Sequence, residues 1–547
     1  MRQTPNQIKK EESQMFLALV LVILVLMAFQ FFTRPPISTE NTNTLETVSQ
    51  TSEQPQEQPI AKIEVPVVAE KLPAIPTEND FVSGSWAGSG LTLDNLILTK
   101  YKETLAKDSP EVQLLSDTYQ AHLIWSIAGQ EIPLSSSKNE TITQNQPATF
   151  TSKTKDYELT RTISLDDHYM FTVTDTVKNL RKGTLPVRLI GKITRAKDTV
   201  DTARSSVHTG FVALVNQKLE EKNYDDTKDK TITYTTFDGW LGLTDKYWQT
   251  VFIPQGNIPV DITDSQNETN YKTEFTEKET LLNAGQTITR KTLLFAGAKE
   301  LNLINDYMSL YQIPKFDLTI DFGWFYFLTK PFLYFLQWLY ALVGNMGMAI
   351  LLFATLLRLA LLPVATKSYI SMAKMKKVQP QLKELQERYK DNRMLLQQEM
   401  MALYKREKIN PAGGCLPMFI QIPVFFALYK VLSVSLQMRQ APFFGWIQDL
   451  SAPDPSSVFT LFGLLQWPIP SFLNIGVLPV IMGLTMYIQQ KMTPSPTADK
   501  AQANMFKLMP IIFTFMMGQF AAGLVIYWTW SNLLSIAQQR YIIKKVG

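Results

Sequence analysis

From Phe322 to the end of the chain, apolar stretches long enough to cross a bilayer follow one another, whereas the text before about Thr319 is polar and broken into short alternating runs. A helix needs about 20 mostly apolar residues to cross ~30 Å of hydrocarbon, and one soluble core does not absorb five such runs. The contrast divides the 547 residues into an extramembrane domain and a membrane domain. Spans are expected at 342–364, 415–436, 473–489, 506–519 and 524–536. The last two are short, which calls for a thin local bilayer or tilted helices. Asp449, Asp454 and Asp499 fall between spans, so the spans carry no carboxylate.

A further apolar run, MFLALVLVILVLMAFQFF at 15–32, follows Lys9 and Lys10 and precedes Arg34. A cleavable signal peptide and an uncleaved signal anchor both fit. The length of the run and the lack of a small-x-small cleavage site favour the anchor, with 1–14 cytoplasmic and the next domain exported. Residues 33–80, rich in Thr, Glu, Gln, Ser and Pro, read as a disordered tether. Over 81–318 the pattern is β: RTISLDDHYMFTVTDTV alternates around Asp166-Asp167 as a hairpin requires, TITYTTFDGWLGL and TVFIPQ read likewise, and many short strands suggest a β-sandwich. The helical stretch ELNLINDYMSLYQI closes that domain.

At 319–341, Trp324, Phe325, Tyr326, Phe327, Tyr334, Trp338 and Tyr340 cluster around Lys330 and Pro331. An aromatic belt of this kind suits a helix lying in the interface, or else the ragged start of the next span.

Loop charge gives the orientation. Residues 367–408 hold eleven Lys or Arg (367, 374, 376, 377, 383, 388, 390, 393, 405, 406, 408) against five acids (384, 387, 391, 399, 407), while 437–474 holds one basic residue, Arg439. The first loop is then cytoplasmic and the second external. Six spans with both termini inside also place Lys491, Lys500, Lys507, Lys544 and Lys545 on the cytoplasmic side.

Several functions are disfavoured. A net charge of +4 gives no basic field for nucleic acid. One cysteine, Cys415, precludes an intramolecular disulfide or a cysteine zinc site, and reads as a packing residue. His122, His168 and His208 all lie in the polar half, so the membrane half has no histidine for proton transfer or a Ser/His dyad.

Three features of the membrane half carry function. Arg358 precedes Lys367 by nine residues, roughly 13 Å along a helix, which puts it well inside the hydrocarbon. There an arginine costs about 2.5 to 3.5 kcal/mol unless water or a partner meets it. Either it snorkels to the headgroups or it lines a hydrated cavity open to the cytoplasm, attracting acidic or polar chain. The second feature is uncharged polarity on other spans: Gln421, Ser433, Ser435, Thr485, Gln489, Ser531 and Asn532. Interhelical hydrogen bonding explains some of these; with Arg358 among them, a wet groove walled by five spans is the joint reading. The third is SMAKMKKVQPQLKELQERYKDNRMLLQQEMMALYKREKINP at 371–411, in and just past the loop 367–410. Met372, Met375, Val378, Leu382 and Leu385 recur at helical spacing and Asp391-Asn392 make a turn, so a helical hairpin is expected. Its methionine-bearing basic surface is a solvated face or a docking surface for varied partners. Pro363, Pro417, Pro423, Pro479 and Pro510, with Gly413-Gly414, interrupt or flank the spans.

At INPAGGCLPMFIQIPVFFALYKVL, RQAPFFGWIQDLSAPDP, PVIMGLTMYIQQKM, GLVIYWTWSNLLSIAQQ and MAKMKKVQPQLKELQERY the chain resembles the YidC/Oxa/Alb insertase family, in particular its bacterial members with a large periplasmic domain. The likeness covers the membrane half and, more loosely, the β-domain, where DGWLGLTDKYWQTVFIP matches. It implies a polytopic α-helical inner-membrane protein with six spans, a five-helix insertase core at 342–547 and an exported β-sandwich, acting as an insertase and chaperone rather than an enzyme, without cofactor or metal. A hydrophilic groove would take in Arg358, Gln421, Ser433, Ser435, Thr485, Gln489, Trp528, Ser531 and Asn532, and Met418, Ile422, Phe425 and Phe426 with the last two spans would form a slide for a substrate helix. Nascent membrane proteins, the Sec translocon, the ribosome, signal recognition components and the lipid bilayer are the implied partners, and no specific nucleic acid. The turn 520–523 reads FAAG where the family often has proline, and the tail after Tyr541 is short for a ribosome-binding extension.

Two other functions find less support in the residues. A secondary transporter or channel is disfavoured by a single unpaired intramembrane charge, no buried Asp, Glu or His for ion coupling, and no inverted repeat. A sugar-processing enzyme of the mutarotase kind, suggested by a β-sandwich, lacks motif spacing among the histidines.

Overall fold

The computed structural model describes residues 73–87, 91–134, 141–200, 207–390, 392–409, 416–460, 464, 474–493 and 500–546. The expected anchor at 15–32, the tether up to Leu72, the Gly413-Gly414 pair, Cys415 and Asp499 lie outside these. The described residues fall into two compact units, one drawn from within 1–96, 114–246 and 250–296, the other from within 97–113, 247–249 and 297–547.

The first unit is built mainly of antiparallel strands in a twelve-stranded and an eight-stranded sheet, with Ile75–Glu78 running parallel to Ile142–Thr143. The hairpin expected at Asp166-Asp167 pairs Tyr157–Leu165 with Met170–Asn179, Leu165 opposite Phe171. Along Tyr157–Leu165 every second residue is buried, as period-two alternation requires. The Asp166 carboxylate accepts from the backbone N–H groups of His168 (2.9 Å) and Met170 (2.8 Å), which closes the turn. Arg161 sits on the buried face. It donates from Nε and Nη2 to Asp175 (2.7 and 2.9 Å) and from Nη1 to the Leu123 carbonyl of the other sheet (2.7 Å). Trp125 Nε1 of that sheet donates to the same carboxylate at 2.9 Å, so the two sheets are pinned face to face by one satisfied ionic knot.

Asp264 is a different buried carboxylate. It accepts from the Thr273 hydroxyl at 2.6 Å. Burial pushes its pKa up to about 6, with the Thr273 bond and the Lys222 charge opposing the shift.

The strand Ile75–Glu78 falls inside the stretch expected to be tether. It pairs with Val82–Trp86 and Ile142–Thr143. IPTE is too short and polar to announce a strand, and what fixes it is Asn79: its side chain accepts from Phe81 and Val82 N–H and donates to the Asp166 and His168 carbonyls.

The second unit is helical, with α1 Leu301–Leu310, α2 Tyr326–Val343, α3 Met346–Ala360, α4 Leu362–Arg388, α5 Arg393–Arg406, α6 Leu416–Val434, α7 Val477–Met492, α8 Lys500–Met517 and α9 Ala522–Val546. The aromatic belt becomes α2, which buries Leu333, Leu336 and Leu339 and leaves Phe327 and Trp338 exposed. Gly344 ends it in the left-handed conformation and Asn345 caps α3 by accepting from Met348 N–H, so two adjacent residues turn the chain.

Two expectations change. The straight helix drawn from Arg358 to Lys367 is broken: α3 and α4 meet at 67°. Pro363 causes this, because its ring clashes with the carbonyl four residues back and it has no N–H to donate. Arg358 therefore stands in the last turn of α3. The two short final spans are parts of longer helices, 18 residues in α8 and 25 in α9; only the apolar portions were visible as spans, and charged ends from Lys500 and to Lys545 continue them. No single described helix is long and apolar enough to cross a membrane, although the bent pair α3 and α4 is, taken together.

Within the stretch expected to form a hairpin, α4 and α5 pack on one another. Met375, Val378 and Leu382 of α4 pack with Leu403 and Tyr404 of α5 and with Ile409. Asn392 caps α5 by accepting from Leu395 N–H at 3.1 Å.

Candidate functional site

Arg358 projects from the end of α3 toward α9. Its Nε and Nη2 both donate to the Ser531 hydroxyl, at 3.2 and 3.0 Å. Among the described residues no Asp or Glu forms an ion pair with it. A helix C-terminus carries partial negative charge, so its place in the last turn helps hold the guanidinium.

Ser531 belongs to a polar stripe on α9 at four-residue spacing: Tyr527, Ser531, Ser535 and Gln539, all buried. Gln421 of α6 donates to the Tyr527 hydroxyl (3.2 Å), and Gln539 donates to the Met492 carbonyl at the end of α7 (3.3 Å). Next to the stripe, buried Asn532 donates to Thr485 of α7 at 3.1 Å. Trp530 Nε1 reaches Thr355 of α3 at 2.9 Å. One helix thus collects polar partners from α3, α6 and α7.

The arrangement brings together Arg358 with Ser531, and Thr485 with Asn532; Gln421 reaches the same helix through Tyr527. Gln489 is half-buried on α7. Ser433 and Ser435 stand elsewhere, 12 and 14 residues beyond Gln421, or about 18 to 21 Å along a helix. Ser433 bonds back to the Tyr429 carbonyl (2.8 Å) and Ser435 to Gln437 (3.2 Å). Tyr527, Thr355, Ser535 and Gln539 were absent from the expected set, although the spacing of four along α9 was in plain view.

Beside this stripe runs an aromatic wall. Phe425 of α6 lies 4.7 Å from Trp528 of α9, which lies 5.6 Å from Phe513 of α8. Phe426 stacks on Phe325 at 6.3 Å. Ile422 is half-buried, and the side chain of Met418 lies outside the described residues. Two of the four expected slide residues are therefore in the wall, joined to Trp528 of the expected groove.

A second cation inside the expected span 415–436, Lys430, pairs with Asp321 at 2.5 Å. Lys330 of α2 pairs with Asp317 at 2.7 Å. The two bridges fasten the segment before α2 to α2 itself and to α6. The loop after α6 is fastened as well: Arg439 donates to the Lys102 and Glu103 carbonyls and lies over the Trp248 ring. Asp454 accepts from Trp446 Nε1 (2.9 Å) and from Leu478 N–H at the start of α7 (2.8 Å). It packs so closely on Gly476 that a Cβ there would fall 2.4 Å from its carboxyl carbon. The FAAG turn is held by Ala522 N–H on the Ala452 carbonyl and Gly523 N–H on that of Leu450.

The histidines are dispersed: His122 pairs with Lys192 in register, His168 lies 4.3 Å from Phe81, and His208 Nε2 is 3.0 Å from the Phe211 carbonyl. Among the described residues no three His, Cys, Asp or Glu side chains could hold a metal ion.

The chain as a whole has known relatives. Residues 338–547 match the family model described as 60Kd inner membrane protein, and 74–335 match that of the YidC periplasmic domain. The chain is 42% identical to the membrane protein insertase YidC of Agrobacterium fabrum over 86% of this chain and 82% of that one. It is 45% identical to the protein of the same name from Brucella suis, over 87% and 81%. A solved active YidC insertase, 19% identical, covers 86% of this chain and 92% of its own at a TM-score of 0.36, a likeness too distant to carry weight.

Proposed function

Since this chain belongs to the YidC family of membrane protein insertases, with that family's periplasmic domain joined to its inner-membrane part, we propose that the Arg358 cluster is where a substrate's polar segment enters the membrane domain. The observation that carries this is the choice of partner: Arg358 is held by a neutral hydroxyl and a helix terminus rather than by a carboxylate. Its charge is positioned yet not cancelled, so a polar or acidic stretch of an incoming chain gains an electrostatic partner in a low-dielectric setting. The polar groups of α9 supply hydrogen bonds to that stretch, and the aromatic wall of Phe425, Phe426, Trp528 and Phe513 offers an apolar surface to the hydrophobic segment that follows.

In the full arrangement the protein has six spans with both termini cytoplasmic and acts by binding and positioning, not by catalysis. The hairpin of α4 and α5 receives nascent chains from ribosomes or signal recognition components, and the core works alone or beside the Sec translocon. Loop charge and the family resemblance support these assignments.

The test is chemical access. Arg358→Cys in a Cys415→Ser background should react with a membrane-impermeant maleimide added from the cytoplasmic side, because the reagent needs thiolate and thiolate needs water. An unreactive thiol in folded protein, with insertion of an acidic-tailed substrate unaffected, would leave Arg358 a snorkelling residue and remove the groove reading.

A further inference from the structure

Where α3 breaks into α4, a cleft of about 400 Å³ opens between α4 and the end of α9. Its walls are two helical faces: Leu362, Thr366 and Ile370 at four-residue spacing on one, and Gln538, Tyr541, Ile542 and Lys545 on the other. The volume lies in the range of ordinary small-molecule sites. The base is closed by the packing of Ala365, Tyr369 and Met372 against Ile542.

Three observations describe what would fill it. The lining is mainly apolar, with Leu362 and Tyr541 exposed at the rim. The Gln538 amide nitrogen is buried without a hydrogen-bond partner, and a buried donor left unmade is costly. Lys545, at the rim beside Ile542, has no carboxylate partner among the described residues. A hydrocarbon surface with an unmet cation at its rim and an unmet donor about two helical turns deeper describe an amphiphile with an anionic head.

We propose that this cleft seats one anionic glycerophospholipid, its phosphate on Lys545, a glycerol ester carbonyl toward the Gln538 amide about two helical turns deeper, and an acyl chain along Leu362, Ile370 and Ile542. Lipid chains are as apolar as the side chains they would touch, so chain burial gives little preference over the bulk bilayer. The headgroup sets selectivity, and basic residues at the membrane surface attract anionic lipid. The seat ties α9, which carries the Arg358 partner, to the elbow that launches the hairpin.

Native mass spectrometry of the full-length protein, released from detergent after titration with dioleoyl phosphatidylglycerol or dioleoyl phosphatidylcholine, tests this. One phosphatidylglycerol should stay bound at severalfold lower concentration than phosphatidylcholine. Lys545→Glu should abolish that preference, whereas Lys544→Glu, the same charge change on a neighbour that does not line the cleft, should leave it. Thr366→Trp should fill the cleft and remove the retained lipid of both kinds, and glycerol phosphate, a head without chains, should fail to displace the lipid. No preference in the wild type, equal effects of the two lysine variants, undiminished binding in Thr366→Trp, or displacement by glycerol phosphate would each overturn the proposal.

Discussion

Two buried or half-buried arginines in this chain are handled in opposite ways. In the β-domain Arg161 and Asp175 are each only 1% exposed and meet in a paired ion bridge, to which Leu123 and Trp125 add further bonds. In the helical unit Arg358 has a serine hydroxyl and a helix end. The first charge is spent entirely on holding two sheets together. The second is stabilised just enough to remain where it is, and a ligand can still claim it. Burial of a charge alone therefore says little about its role, and the partner decides.

The largest effect expected from this contrast is on stability. Asp175→Ala leaves the Arg161 guanidinium buried without its counter-charge, which costs about 3 to 5 kcal/mol. Hydrogen exchange of full-length protein should show Tyr157–Leu165 and Met170–Asn179 losing protection together, while insertion of a simple substrate persists. Unchanged protection in those strands would place the knot outside the forces that join the sheets.

Asp264 is the intermediate case, a buried charge with a hydroxyl partner, and it lies in a sheet where the strain has to appear as a raised pKa. Its folded pKa of about 6 exceeds the unfolded value. The folded state therefore binds the proton more tightly, and this group makes the domain more stable as pH falls from about 6 to about 4. The difference from an ordinary aspartate is worth about 3 kcal/mol at most. Asp264→Asn should raise the melting temperature at pH 7.5 and flatten that part of the pH profile. A variant melting lower at every pH would show the carboxylate to be favourable instead.

How much of this was legible beforehand follows the range of each interaction. The turn at Asp166 and the α4–α5 seam through Met375, Val378 and Leu382 are local, and periodicity reveals them. Arg358 stands out because a charge in an apolar run has a known cost. Its serine lies 173 residues away and the Lys430 partner, Asp321, 109 residues away, separations that no local pattern encodes. Lys430 is a charge in an apolar run just as Arg358 is, and the four-residue spacing along α9 is equally open to inspection; only the partners of these residues are hidden. The break at Pro363 is marked by the proline, but its position relative to Arg358 depends on how α3 ends.

Moving the second arginine toward the state of the first should come next in size. Ser531→Asp gives Arg358 a carboxylate at the position of its present partner, and so should depress insertion of an acidic-tailed substrate at least tenfold, about 1.4 kcal/mol. The fold should hold, since the new pair is mutually satisfied. Arg358→Glu should act similarly by repelling the tail, with the Ser531 hydroxyl turning to donate. A neutral-tailed substrate should be affected less by both. Equal loss for both substrates would mean that packing, not charge, had been disturbed.

The smallest effect separates charge from shape. Arg161 binds through three nitrogens in fixed directions, so lysine could not replace it there. Arg358 directs two nitrogens at one oxygen atom, which asks for a positive centre near Ser531 rather than for a planar fork. A lysine ammonium on its flexible stem can meet the same hydroxyl and present the same charge to an incoming tail. Arg358→Lys should therefore insert the acidic-tailed substrate within twofold of wild type, about 0.4 kcal/mol, when initial rates are compared at equal amounts of folded protein. A loss as large as that of Ser531→Asp would show that the guanidinium geometry is needed. The two arginines would then differ in what they bind and not in how they bind it.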